Sequence, residues 1–248
     1  MHIDPIAIQI GPLAIHWYGL AYVVGILCSW KITQYCVRQF WEISTTPWDT
    51  SINPIVLGIL VGGRLGHVVF FEPHYFMNHP LEIFMIWHGG MSFHGGLLGV
   101  ILAMLWQAHR YRINFGTFAD ATACGVPWAL FFGRIANWVN GELYGRVTNV
   151  SWGQIFPYGG PLPRHPSQLY EAALEGVLLG IIMLFAVRKW HAYLGSLSGL
   201  FLVGYGVFRA SVECVREIDW AWGGLTAGQW LCLPMIAGGL WLIFTKRS

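Results

Sequence analysis

Seven long apolar segments dominate this 248-residue sequence, and each is long enough to cross a lipid bilayer as a helix. A soluble domain of this length would carry charge on roughly 25% of its residues. Here 10% of the residues are charged and 55% are apolar, which indicates that lipid surrounds most of the chain. The sequence therefore predicts an all-α integral membrane protein with one polytopic domain. The predicted spans are about 14–34, 52–71, 92–108, 120–136, 167–187, 195–213 and 225–245.

Lysine and arginine residues between the spans predict how the chain crosses the membrane. Cytoplasmic loops are enriched in these residues. With the N-terminus outside, the inner loops and the tail hold eight of them and the outer loops hold three. We therefore expect a cytoplasmic C-terminus and a small periplasmic cap formed by the loop of about 137–166. The eight are Lys31, Arg38, Arg110, Arg112, Arg188, Lys189, Lys246 and Arg247, and the three are Arg146, Arg164 and Arg216.

The remaining charge and the cysteines argue against two other classes of protein. A net charge of +2 without a basic cluster gives no surface for nucleic acid. The five cysteines have no C-x-x-C spacing and mostly lie in apolar stretches, so they are expected to be small buried side chains and not a disulfide framework.

Three arginines, Arg64, Arg134 and Arg209, lie inside or at the end of predicted spans. An arginine near the bilayer centre costs about 2.5–3.5 kcal/mol on insertion scales. Each alone is explained by snorkelling or by pairing with a carboxylate, but three together indicate a function. In the predicted orientation, polar residues of the spans converge on the outer leaflet. These residues are His16, Tyr18, His94, Arg134, Asn137, Glu171, Glu175, Tyr205, Arg209 and Glu213.

Guanidinium groups gathered at headgroup depth indicate a site for an anionic lipid headgroup, because they stay charged and bind phosphate bidentately. His94 lies between two glycine pairs, in residues 89–96, where the backbone can approach a ligand closely. It is a candidate functional histidine, although a lone histidine is often a hydrogen-bonded structural residue.

Several of the polar residues also have purely structural interpretations. Asp120 is expected to be an N-cap at the inner start of the fourth span. Ser167 is a candidate N-cap for the fifth span, with Glu171 favoured by the helix dipole. The glycines at 58, 62 and 66 have the G-x-x-x-G spacing that is typical of close helix packing.

Four separated blocks of sequence carry a family resemblance. They are His-Trp-Tyr-Gly at 16–19, the glycine-flanked histidine at 89–96, the polar segment at 133–145, and residues 165–171. The sequence resembles the prolipoprotein diacylglyceryl transferases, and the match continues through 204–209 and Glu213. Its core, Arg-x-x-Asn-x-x-Asn-x-Glu from Arg134, is highly specific. Ala136 and Trp138 depart from the family, where Gly and Phe are usual.

The resemblance implies a bacterial inner-membrane enzyme whose active site faces the periplasm. It would move a diacylglyceryl group from phosphatidylglycerol to the lipobox cysteine of a preprolipoprotein, with no metal or other cofactor. By resemblance, His94 is the candidate base, and Arg134 and Arg209 hold the phosphate. The resemblance also implies that the headgroup site is shaped by Asn137, Glu142 and Gly145. The groups that hold the phosphate would be oriented by Tyr18, Tyr205 and Glu213.

The principal alternative is an anion or lipid transporter that lines a pathway with intramembrane arginines. A transporter predicts polar residues in both leaflets and two similar halves, whereas here the polar residues are biased outward and no internal repeat is evident. An intramembrane serine protease is disfavoured because the serines of residues 195–199 do not match G-x-S-x-G.

Overall fold

The computed structural model describes residues 6–10, 13–217 and 221–245, and long helices occupy all seven predicted spans in these segments. Lys246 and Arg247, which we expect in the cytoplasmic tail, lie outside the described residues. The helices are α1 (Trp17–Cys36), α2 (Thr46–Asp49), α3 (Ile52–Phe70), α4 (Pro73–Asn78), α5 (Phe93–Arg110), α6 (Phe115–Val139), α7 (Ser167–Glu171), α8 (Leu179–Trp190), α9 (Ser196–Glu213) and α10 (Ala227–Thr245), and the strands are β1 (Ile6–Ile10), β2 (Leu13–His16), β3 (Ala221–Trp222) and β4 (Leu225–Thr226).

Two π-helical segments and two 3₁₀ turns complete the helical structure. Val37–Trp41 extends α1, and Ala172–Leu178 joins α7 to α8 into one continuous helical element. The 3₁₀ turns, Pro80–Phe84 and Ile86–His88, lie between α4 and α5. Wide π turns inside helices are frequent at functional sites, and the longer one carries Glu175.

Four helical elements are long and apolar enough to cross a membrane within the described chain. They are Trp17–Trp41, Thr46–Phe70, Ser167–Trp190 and Ala227–Thr245. The structure is thus that of a mainly helical membrane protein. The other three long helices, α5, α6 and α9, occupy predicted spans. Seven crossings and their orientation stay predictions.

The chain divides into two compact units, and each is described by itself. The inserted unit comprises residues 43–119, and the large unit comprises the segments before and after it, 1–42 and 120–248. The expectation of a single polytopic domain stays a prediction.

Glycines bring α3 and α5 together in the inserted unit. A Cβ atom on Gly58 would overlap backbone of Gly99, and one on Gly62 or Gly66 would overlap backbone of Gly95. The packing role predicted for the three α3 glycines is confirmed. Because the obstructing atoms belong to backbone, rotation of a side chain cannot relieve such an overlap.

The core of the large unit contains two buried cysteines, Cys36 and Cys124, with Leu179, Met183 and Leu197. All five cysteines of the chain lie in described segments and are free. Burial was expected of them, but Cys214 is exposed. It lies just after the end of α9.

Asp120 caps a different helix from the one predicted. Helix α6 begins at Phe115, so Asp120 lies inside it and the predicted N-cap role there is wrong. Its carboxylate instead accepts hydrogen bonds from the Gly195 N–H at 2.6 Å and the Ser198 N–H at 2.7 Å. At the start of a helix such N–H groups have no partner within the helix, and Asp120 supplies it for α9. This capping interaction of Asp120 therefore ties α6 to α9.

The segment between α6 and α7 is folded against the end of α9. Isolated β-bridges pair Gly145 with Arg216, Val147 with Arg164, and Gln154 with Arg164. The segment begins with a turn in which Gly141 has a φ of +69°, a conformation that glycine adopts without strain. This is the predicted cap; its periplasmic location stays a prediction.

The α3–α5 contact gives the first prediction. Gly62→Ala is expected to lower the free energy of unfolding by about 1–3 kcal/mol, because the new methyl group forces two backbones apart. Gly238→Ala is the matched control, since nothing lies within 4 Å of a Cβ at that helical position. Reversible unfolding in mixed micelles, followed by circular dichroism, measures both variants. Equal stability of the two would contradict this account of the contact.

Candidate active site

A buried carboxylate in the large unit holds together the two arginines that the sequence singled out. Glu171 Oε2 lies 3.1 Å from Arg134 Nε, and Glu171 Oε1 lies 2.9 Å from Arg209 Nη1. Arg134 comes from α6 and Arg209 from α9, whereas Glu171 is the last residue of α7. Three separate helices therefore place their charged side chains at one point.

A third arginine, Arg216, belongs to the same cluster, although we expected it to be an outer-loop charge. Its Nη1 lies 2.9 Å from Glu171 Oε1, and its Nε lies 3.6 Å from Glu213 Oε2. Positions 209, 213 and 216 have the spacing of one helix face, and this signal was available in the sequence. It was missed because 216 lies beyond the predicted end of the span.

Two more carboxylates complete this ionic cluster. Glu175 Oε2 lies 3.4 Å from Arg134 Nη2, and Glu213 Oε2 lies 2.9 Å from Arg209 Nη2. The side chains of Glu171 and Glu175 are fully buried, whereas those of the arginines are 17–18% exposed. When all three carboxylates are ionised, their charges cancel those of the three guanidinium groups. The cluster consists of Arg134, Arg209, Arg216, Glu171, Glu175 and Glu213.

Each arginine keeps hydrogen-bonding capacity beyond these ion pairs. A guanidinium group has five N–H donors. The ion pairs that Arg134 makes with described residues use Nε and Nη2, and those of Arg209 use Nη1 and Nη2. Among the described residues, no ion pair uses the Nη1 group of Arg134 or the Nε–H of Arg209, and both side chains are partly exposed.

Neighbouring residues hold the α9 side of the cluster in place. Thr226 Oγ1 donates to Glu213 Oε1 at 3.1 Å. Gly228 packs against the same carboxylate, so closely that a Cβ atom there would overlap it. Tyr205, one turn before Arg209, interacts electrostatically with Arg134, Arg209 and Glu175. The predicted site residues Tyr205, Arg209 and Glu213 therefore share one location.

A second polar group forms where α6 ends. The Asn137 side-chain amide donates to Glu142 Oε1 at 2.7 Å. The Tyr18 hydroxyl lies 3.1 Å from the Tyr22 hydroxyl and also interacts with Asn137 and Glu142. The structure thus brings together Asn137 and Glu142, which the resemblance assigned to the headgroup site, and Tyr18, which it assigned to orienting the groups of the site.

The start of α7 is bonded to the turn that carries Glu142. Gln168 donates its side-chain amide to the Glu142 carbonyl at 2.5 Å, and Ser167 Oγ donates to the Leu143 carbonyl at 3.0 Å. The predicted N-cap role of Ser167 is wrong, because Pro166 occupies the cap position and Ser167 is already helical. The serine joins two chain segments instead.

Gly145 contributes backbone and not a side-chain group. Its N–H donates to the His165 carbonyl at 2.9 Å, and its carbonyl accepts from Arg164 Nη1 at 3.2 Å. A Cβ atom at this position would overlap the Val215 carbonyl. Glycine is therefore required for the cap to approach the chain just before Arg216. Arg146, next to it, donates from Nε to the Arg216 carbonyl at 2.7 Å and is not simply a solvated charge.

The two departures from the family pattern both pack within the large unit. Ala136 is buried, with 1% of its surface exposed. The Trp138 indole N–H donates to Gln154 Oε1 at 2.8 Å, a bond that phenylalanine cannot make. These substitutions are accommodated by packing and by the cap.

His94 lies in the inserted unit, as the second residue of α5. Its side chain is exposed, and its ring contacts Phe93 at 5.6 Å between centroids. Within the described residues His94 has no hydrogen bond or ion pair, so the structural interpretation of a bonded histidine is not supported. Of the two glycines before it, Gly90 packs against other side chains of the protein, because a Cβ atom there would overlap His67 and crowd Arg64.

These observations define a class of protein: a helical membrane protein with a buried arginine–glutamate cluster beside a group of polar side chains. The family model described as prolipoprotein diacylglyceryl transferase matches residues 5–245. The chain belongs to the prolipoprotein diacylglyceryl transferase family.

Curated relatives cover nearly the whole chain. A phosphatidylglycerol–prolipoprotein diacylglyceryl transferase of Nitrosomonas europaea is 49% identical over 249 residues, covering 97% of this chain and 89% of the relative. The protein of the same name from Aliivibrio salmonicida is 50% identical over 244 residues, covering 96% and 86%. That of Paramagnetospirillum magneticum is 47% identical over 250 residues, covering 98% and 93%.

The hub position of Glu171 yields a stability prediction. Glu171→Ala is expected to lower the free energy of unfolding by about 3–5 kcal/mol, because it leaves buried cations without their shared partner. The matched control is Glu217→Gln, which removes the partner of Arg164 at a glutamate that is 55% exposed. An exposed pair contributes about 0–1 kcal/mol. Chemical unfolding in micelles compares the two, and a Glu171 variant as stable as the control would refute the hub role.

Proposed function

We propose that this chain transfers the diacylglyceryl group of phosphatidylglycerol to the lipobox cysteine thiol of a preprolipoprotein. The sulfur forms a thioether with the glyceryl carbon, and the bond between that carbon and the phosphate oxygen breaks. The bonding electrons leave with glycerol 1-phosphate, and a base takes the thiol proton. Membership in the family and the names of its relatives support this reaction.

The observation that carries the proposal is the pair Arg134 and Arg209, both held on the buried Glu171 carboxylate. Negative charge grows on the phosphate oxygens as the carbon–oxygen bond breaks. Guanidinium groups that are already fixed stabilise this charge without reorganising, and they do so more strongly where water is excluded. We assign the phosphate to Arg134 and Arg209, with Arg216 as a third cation of the same cluster.

The second polar group suits the uncharged end of the headgroup. The glycerol of phosphatidylglycerol offers hydroxyls, which donate and accept hydrogen bonds. Glu142, Asn137 and Tyr18 supply complementary partners at the end of α6. We assign these residues to headgroup recognition, with Tyr205 and Glu213 orienting the arginines and Gly145 shaping the backbone around the site.

The attacking thiol needs a base, because a cysteine of ordinary pKa is only a few per cent thiolate at neutral pH. We assign this role to His94, since a neutral imidazole nitrogen can accept a proton from a thiol. Its exposed ring without a protein partner leaves both nitrogens available to a substrate. The proposed location is the bacterial inner membrane, with the active site and the cap facing the periplasm and the C-terminus in the cytoplasm.

A transfer assay tests the function directly. Purified full-length protein is incubated with phosphatidylglycerol and a lipobox peptide, and the peptide is followed by mass spectrometry. We expect a mass gain of one diacylglyceryl unit on the cysteine. A transporter of anions or lipids would bind the lipid and leave the peptide unmodified, and that result would overturn the proposal.

Arginine variants test the phosphate assignment. Arg134→Ala and Arg209→Ala are each expected to lower kcat by about 10²-fold or more, the usual effect of removing one charge-stabilising donor. Arg188→Ala is the matched control, because Arg188 is an exposed arginine at the end of α8 whose guanidinium lies over Phe185. Full activity in either cluster variant would remove that arginine from the phosphate site.

A histidine variant tests the base assignment. His94→Asn is expected to abolish transfer while leaving phosphatidylglycerol binding unchanged, because asparagine cannot take a proton from the thiol. The control is His109→Asn, which alters an exposed histidine in the last turn of the same helix. Transfer rates and lipid binding are measured for both. A fully active His94 variant would reject the role of base.

A further inference from the structure

Arg64 is a buried cation in α3 that is bound by backbone carbonyls. Its Nε donates to the Ile83 carbonyl at 2.9 Å, its Nη2 to the Glu82 carbonyl at 2.5 Å, and its Nη1 to the Gly89 carbonyl at 2.6 Å. Nη1 also lies 3.3 Å from the Gly90 carbonyl. Only 6% of the surface of Arg64 is exposed. Among the described residues, Arg64 forms no ion pair with a carboxylate.

This set of bonds joins two segments of the connection between α3 and α5. Carbonyls 82 and 83 belong to a 3₁₀ turn, and carbonyls 89 and 90 lie just before α5. Only a planar, forked side chain can bond to four carbonyls arranged around it; the ammonium of lysine has three donors on one atom. The Phe76 ring, 5.0 Å from the guanidinium carbon, covers the side chain.

The 3₁₀ turn has its own anchor, in a tyrosine outside the spans. The Tyr75 hydroxyl donates to Glu82 Oε2 at 2.7 Å. This bond, together with the neighbouring negative charge, raises the pKa of Tyr75. Glu82 is therefore held twice: Tyr75 binds its side chain, and Arg64 binds its carbonyl.

The bonds of Arg64 lead directly to the start of α5. Gly89 and Gly90 have φ values of +84° and +78°, so the chain turns sharply there. The Ser92 N–H then donates to the Gly63 carbonyl at 2.8 Å, and Ser92 Oγ accepts from the Gly95 N–H at 3.3 Å. Residues 63 and 64 of α3 thus hold the backbone at positions 89, 90 and 92. These positions lie two to five residues before His94.

His94 depends on this backbone for its position. Catalytic histidines are usually oriented by a partner on the second ring nitrogen. His94 has none among the described residues, and its exposed ring contacts Phe93. Its location therefore follows from where α5 begins.

We propose that Arg64 is a positioning residue for His94, which sets the start of α5 by binding the carbonyls of Gly89 and Gly90. The proposal rests on the proposed base role of His94. A displacement of about 1 Å in a catalytic group can cost up to 10²-fold in rate, so the geometry of this clamp is expected to matter more than its charge.

The test is Arg64→Lys in the full-length protein, which keeps the charge and removes the fork. We expect kcat to fall by about tenfold or more, with KM for phosphatidylglycerol within about twofold of wild type. The matched control is Arg110→Lys, because Arg110 is an exposed arginine of the same unit whose guanidinium lies over Trp106. The control is expected to keep wild-type kinetics.

A second readout separates positioning from general loss of structure. Diethyl pyrocarbonate modifies exposed histidines, and mass spectrometry gives the rate at each one. Arg64→Lys is expected to change the rate at His94 and to leave that at His109, in the last turn of the same helix, unchanged. An unchanged kcat, or equal changes at both histidines together with a lowered melting temperature, would overturn the inference.

Failure of the proposed function gives a different pattern. A wild-type protein without transfer activity would reject that function, while the labelling rates would still report on Arg64. Full activity in His94→Asn would reject both the base role and the positioning role that rests on it, while transfer itself would stand.

Discussion

The buried carboxylate of Glu171 is the interaction on which the large unit depends. A charge in apolar surroundings is very costly unless it is paired and hydrogen-bonded, so an ionised Glu171 requires cations around it. Arg134 of α6 satisfies this requirement together with Arg209 and Arg216, which lie in and just after α9. Each cation in turn needs an anion, so removing either the carboxylate or the guanidinium groups would leave the opposite charge without its partner. Mutual dependence of this kind fixes the relative positions of α6, α7 and α9.

The same balance of charge suits the cluster to its proposed chemistry. With their charges compensated by glutamates, the three arginines can lie close together without repelling one another. Their side chains are partly exposed, and in the proposed reaction their remaining N–H donors would bind the phosphate. Because the carboxylates hold the cations in place before substrate arrives, little reorganisation is needed as negative charge develops. The structural and the catalytic requirements are therefore met by one set of ion pairs.

The inserted unit stabilises its buried cation in a different way. Arg64 is surrounded by carbonyl dipoles, which carry no net charge but are directional. Carbonyls hold a guanidinium group through the geometry of their hydrogen bonds, and each of them belongs to backbone. The result is a defined path for the chain between α3 and α5. Of the three arginines within spans, two thus organise side chains and one organises backbone.

The class of protein, the positions of the seven long helices and the family can all be predicted from the amino-acid sequence, because apolar length and contiguous motifs are local properties of the chain. The sequence also singled out Arg134, Arg209, Asn137 and Glu142, whose roles in a site stay predictions. The partners of these and other polar side chains became clear only from the folded structure. Asp120 accepts a hydrogen bond from the Gly195 N–H, 75 residues later, and Arg216 pairs with Glu171 across 45 residues. Such pairings follow from helix packing, which brings distant residues together, and no local pattern encodes them.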